Sequence, residues 1–90
     1  MRVLQTADGL ETAYLRVVYE MAGKKAKSAV SYGEVCMELG RPEHEAERAC
    51  DYWADRGMLE WTAFGHIALT HMGLRRAERL ARIGWSFAQF

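Results

Sequence analysis

Between Met58 and Thr70 the apolar residues stop recurring every three or four positions and begin to alternate. Leu59 and Trp61 flank Glu60, Ala63-Phe64-Gly65 reads as a turn, and Ile67 and Leu69 alternate again beyond it. Successive strand side chains point to opposite faces, so this pattern predicts a two-stranded hairpin over residues 58–70. A chain of 90 residues with this hairpin set among helical patterns is confined to a small, mainly α, α+β architecture with one core and one domain spanning 1–90.

The helices are legible from their ends. Asp8 and Glu11 have capping-box spacing, and Leu10, Ala13, Tyr14, Val17, Val18 and Met21 follow at helical intervals, which predicts a first helix over 8–23 stopped by Gly23. Ser28-Ala29-Val30 has the composition of a brief strand. Ser31 and Glu34 repeat the capping-box spacing and open a second helix over 31–40, with Val35, Cys36 and Leu39 inward and Gly40 closing it. Pro42 suits the first position of a third helix over 42–57, where its missing amide proton costs nothing. On a wheel of roughly 100° per residue, Ala46, Ala49, Cys50 and Trp53 gather on one side of that helix. His44, Arg48, Asp51, Tyr52 and Asp55 gather on the other. Thr70 caps a last helix over 71–84, whose apolar stripe is Leu74, Ala77, Leu80 and Ala81, while Arg75, Arg76, Arg79 and Arg82 share another face. Residues 85–90 form an uncharged aromatic tail.

Charge excludes one simple class of function. Lysine and arginine total 12, as do aspartate and glutamate, so no global field draws the chain to nucleic acid or to an anionic membrane. Locally the balance is −1 over 1–23, +2 over 24–42, −4 over 43–60 and +3 over 61–90. Cys36 and Cys50 stand singly in apolar patterns with no CxxC pair, against a disulfide scaffold or zinc knuckle and in keeping with a reducing cytoplasm. No signal-peptide pattern and no apolar run long enough to span a membrane is present, so a soluble protein is expected. No nucleophile, base and orienting group cluster recognisably, and there is no glycine-rich phosphate loop; neither an enzyme nor a cofactor is expected. His44, His66, His71, Cys36 and Cys50 lack metal-ligand spacing, which leaves a metal site only across two subunits.

SYGEVCMELG, EAERACDYWADRGMLEW and HIALTHMGLRRAE resemble successive parts of the winged helix-turn-helix superfamily, in which a helix ending L-x-x-x-G-L-I is followed by I-x-L-T-x-x-G. Trp53 and Met58-Leu59 occupy the first motif; Ile67, Leu69, Thr70 and Gly73 occupy the second. The resemblance covers roughly residues 10 to 82. At the superfamily level it is close to small bacterial regulators of the multiple-antibiotic-resistance, PadR and arsenic-repressor types, without assigning one of them, and it implies a three-helix core, a hairpin wing and a C-terminal helix. It also implies a dimeric transcription regulator that lays its third helix in the major groove of double-stranded DNA.

Carried over by position, the implied base readers are Arg41, His44, Arg48 and Tyr52, and Arg48 has the donor geometry to meet guanine bidentately. Lys24, Lys25, Lys27 and Tyr32 around the start of the second helix, with His66 on the wing, would contact the backbone or groove. Against this stand Glu43, Glu45, Glu47, Asp51 and Asp55 in the same helix and a wing tip with no lysine or arginine. Glu43 and Glu45 complement the helix dipole. Asp51 and Asp55 either pair with Arg48 or repel phosphate. The alternative function is therefore a protein-interaction module, working through the acidic third helix or the arginines of the last, which could also pair with the third helix of another subunit. Trp85, Phe87 and Phe90 either fold back over the first helix or form a dimer contact, the latter being expected.

Overall fold

The computed structural model describes residues 2–85, with side chains from residue 11 onward. The chain runs α1 (Arg2–Met21), β1 (Val30–Ser31), α2 (Tyr32–Leu39), α3 (Glu43–Asp55), β2 (Leu59–Trp61), β3 (His66–Leu69) and α4 (His71–Arg82). The strands form one antiparallel sheet in the order β1-β3-β2, with Val30 opposite Ile67 and Leu59 opposite Leu69. The expected two-stranded hairpin thus gains a third strand, and β3 lies in the middle. Ile67, Ala68 and Leu69 are all buried as a result, whereas on the edge strand β2 burial falls steadily from Leu59 through Glu60 to the exposed Trp61, so the expected alternation is lost there.

α1 packs against α2, α3, α4 and β3 and so forms the spine of the core. It begins at Arg2, not at Asp8. No proline or glycine lies between Arg2 and Asp8, so backbone hydrogen bonding continues through the capping-box spacing and nothing is left there to cap. Its buried face also differs from the stripe expected. Tyr14, Leu15, Val18, Tyr19 and Ala22 are buried, with Thr12, while Met21 is exposed. A helix covered on several sides buries a wider arc than a single stripe.

Ser31 ends β1 and caps α2, its Oγ accepting from Glu34 N–H at 3.4 Å. Pro42 stands at the N-cap of α3, one position before that expected, with an extended ψ of 150° and its carbonyl accepting from Glu45 N–H and Ala46 N–H. Each helix ends the same way. The amide of the residue after a glycine reaches back five positions, Lys24 to Tyr19, Arg41 to Cys36, Met58 to Trp53 and Trp85 to Leu80, and Gly23, Gly40, Gly57 and Gly84 all have positive φ. This left-handed closure satisfies carbonyls that the helix end would otherwise orphan. Helix, brief strand, helix, turn, helix and hairpin in this order, followed by a C-terminal helix, form a winged helix-turn-helix.

Candidate nucleic-acid interface

Three elements converge on the outward side of α3. Its core face, Ala46, Ala49, Cys50 and Trp53, is buried, and Trp53 Nε1 donates to the Glu11 carbonyl of α1 at 2.7 Å. That bond fixes the helix's rotation and leaves His44, Glu47, Arg48, Asp51 and Asp55 exposed. Tyr32, half-buried at the start of α2, meets Trp61 of β2 edge-on at 5.6 Å, and Trp61 Nε1 donates to Asp51 Oδ1 of α3 at 3.0 Å. Tyr32 N–H also donates to the Gly65 carbonyl of the wing turn. The wing is therefore tied to both helices of the helix-turn-helix.

The expected readers are in different states. Arg48 is exposed and, among the described residues, its guanidinium has no hydrogen-bond or ion-pair partner. His44 is exposed one turn before it. Arg41, by contrast, grips Glu45 through Nε and a terminal nitrogen at 2.9 and 3.0 Å, and this contact holds the Glu45 carboxyl below the usual carboxylate range. Tyr52 is half-buried, edge-on to Trp53 at 5.0 Å and covered by the Arg56 guanidinium at 3.6 Å, so its ring is already occupied. The Tyr32 hydroxyl is pushed above its usual range, first by the charge of Glu43 and then by burial and Glu47. These causes place the α2 N-terminus in the negative field of α3.

The lysines lie elsewhere. Lys27 N–H donates to Leu69 and its Nζ pairs with Glu60 at 2.9 Å, at the end of β3 opposite the wing turn. Lys24 and Lys25 are exposed in the same connection. His66 is exposed on the wing, with Nδ1 2.7 Å from the Phe64 carbonyl. The structure thus gathers Tyr32, His44, Arg48 and His66 around α3 and the wing, and sets Lys24, Lys25 and Lys27 apart from them. Trp85 folds back on α1, 5.8 Å from the Tyr19 ring and with the Arg16 guanidinium over it at 5.7 Å. Phe87 and Phe90 lie outside the described residues.

Three participants were not singled out as site residues. Trp61 holds Asp51, Phe64 is 97% exposed at the wing tip, and Arg56 covers the Tyr52 ring. Alternation places Trp61 on the same face as Leu59 and cannot show that its indole turns instead to α3. Beside the interface, a groove of about 440 Å³ runs along α3 between Glu11, Glu45, Arg48, Tyr52, Asp55 and Arg56. Among the described residues no group of three histidines, cysteines or carboxylates is placed to hold a metal, and no helix is long and apolar enough to cross a membrane.

No family model and no curated protein matches the sequence. Among solved structures the chain is similar to HmgR of Pseudomonas aeruginosa, with a TM-score of 0.66 and 20% identity, over 89% of this chain and 32% of that one. The likeness is one of fold. The chain spans about a third of HmgR's length.

Proposed function

We propose that the protein is a DNA-binding transcription regulator that presents α3 to the major groove as a homodimer, with Arg48 as its principal base reader and His44 beside it. The observation that carries this reading is the disposal of the acids nearest Arg48. Glu45 is held by Arg41 and Asp51 by Trp61, and Arg48 remains exposed and unpaired among the described residues. A guanidinium so placed can donate two parallel bonds to guanine. Tyr32 and His66 would supply backbone contacts from the α2 N-terminus and the wing, and Lys24 and Lys25 only if the duplex bends toward the far end of the sheet. Tyr52 acts by packing, since Arg56 covers its ring.

Fluorescence anisotropy of a labelled generic duplex tests this directly. Nonspecific affinity is mostly phosphate contact, so binding should appear at low salt and weaken as salt rises. Arg48→Ala should cost about 1–3 kcal/mol on a selected site and relax its specificity. Flat anisotropy at low salt and high protein concentration would sink the reading. A second reading, a protein-interaction module, is favoured by Glu43, Glu47 and Asp55, which are exposed on α3 and, among the described residues, in no ion pair.

A further inference from the structure

The two strongest charged surfaces of the molecule belong to different helices and cannot neutralise one another within one chain. α3 carries five carboxylates against Arg48, and α4 carries four arginines against Glu78. Both helices pack on α1 and have little contact with each other. Glu43, Glu47, Asp51 and Asp55 are exposed and follow one another at four-residue intervals, a rise of about 6 Å per step. On α4, Arg75, Arg79 and Arg82 are exposed at intervals of four and three, and among the described residues none of the four arginines forms an ion pair. Met72 and Ile83, 52% and 46% exposed, fall at the two ends of the same face, within an arc of about 120°. The acidic face has apolar neighbours too, Trp61 at 39% and Phe64 at 97% exposure on the wing.

We infer that α4 of one copy docks on the α3–wing face of a second copy. The arginine row meets the carboxylate row at matching pitch, and Met72 and Ile83 meet the wing aromatics. Arginine and methionine framing a charged row is the composition of an interface, and a chain of zero net charge offers no long-range repulsion between copies. The contact is heterologous, since each copy offers α3 to one neighbour and α4 to another, so association proceeds end to end. It goes beyond the DNA reading and competes with it, because the docked α4 covers Arg48.

Sedimentation velocity of the full chain tests the inference. At low salt the weight-average sedimentation coefficient should rise with protein concentration, and that rise should disappear as the Debye length falls to about 3 Å at 1 M salt. Two charge-reversed proteins, one with Arg75→Glu and Arg79→Glu and one with Glu47→Lys and Asp55→Lys, should each lose self-association about tenfold or more. Mixed together they should associate again, each supplying the face the other lacks. All four positions are exposed, so circular dichroism should show unchanged helix content; the wild-type salt response stands whatever the variants do. A wild-type coefficient that does not rise with concentration at low salt, a rise that survives both reversals, or a mixture that shows no rise would each overturn the inference. Loss of duplex binding in the α4 variant, with self-association intact, would also overturn it and make α4 a nucleic-acid face. Duplex anisotropy of that variant reads the DNA proposal separately, and there affinity should hold or rise as the competitor is removed.

Discussion

Gly73 shows at one residue how the I-x-L-T-x-x-G motif works. Thr70 Oγ1 accepts from Gly73 N–H at 2.9 Å and donates to the Gly57 carbonyl, while Thr70 N–H donates to the Met58 carbonyl at 3.1 Å. α4 thereby starts against the chain leaving α3, so close that a Cβ on Gly73 would run into the Met58 carbonyl. Alanine is about 1 kcal/mol better than glycine inside a helix, yet here Gly73→Ala should destabilise by about 1–3 kcal/mol, because backbone must move to admit the methyl. A lower urea midpoint at unchanged slope would show this. Glu45 gives a pH prediction of definite sign. Arg41 holds its folded-state carboxyl below the ordinary value, so the stability this pair gives is complete above the unfolded pKa of glutamate and is lost as pH falls through the folded one. In a carboxyl NMR titration Glu45 should titrate below an ordinary glutamate, and Arg41→Ala should return it. Cys50 is a third case: burial, with Asp51 and Glu47 adding, pushes its thiol up to about 12. It should resist thiolate-directed alkylation at pH 8 until the protein unfolds.

At the scale of elements, the bond from Trp61 to Asp51 decides how the wing behaves. A hairpin of this length is marginal by itself, and here it is fastened to α2 through Tyr32 and to α3 through the indole. Trp61→Phe keeps an aromatic ring beside Tyr32 and removes the donor together with part of the ring. It should cost about 0.5–1.5 kcal/mol and speed hydrogen exchange of Thr62 N–H, which is bonded to His66 at 2.9 Å; unchanged exchange would show that Tyr32 alone holds the wing. The helices themselves were legible from caps and glycines: Ser31, Thr70, Gly40 and Gly57 all act as their spacing predicted. Asp8 failed as a cap because a capping pattern inside a helix that can continue has no free amide to satisfy.

For the whole molecule, the core draws on every helix and on all three strands, from Tyr14 and Val18 through Val35 and Cys50 to Ile67, Leu69 and Leu80. With one shared core, no element buries its apolar face without the others. Far-UV circular dichroism and tryptophan fluorescence should therefore report one coincident unfolding transition in urea; separate midpoints would contradict the shared core. The same scale explains the charge pattern. Segments of opposite sign along the sequence become helices that both pack on α1 and have little contact with each other, so the polarity persists in the folded molecule.

The sequence by itself determined the order of helices and hairpin, because alternation, helical period, caps and glycine stops are local signals that the backbone obeys wherever the chain is free to follow them. It also determined which side of α3 is buried, since Ala46, Ala49, Cys50 and Trp53 share one arc. Only the tertiary structure decided which polar groups on that helix remain available. Arg41 spends its donors on Glu45, Tyr52 lies under Arg56, Asp51 is held by a tryptophan ten residues away, and Lys27 is paired across the sheet with Glu60. Such pairings depend on where side chains from separate elements arrive, a distance that no periodicity encodes.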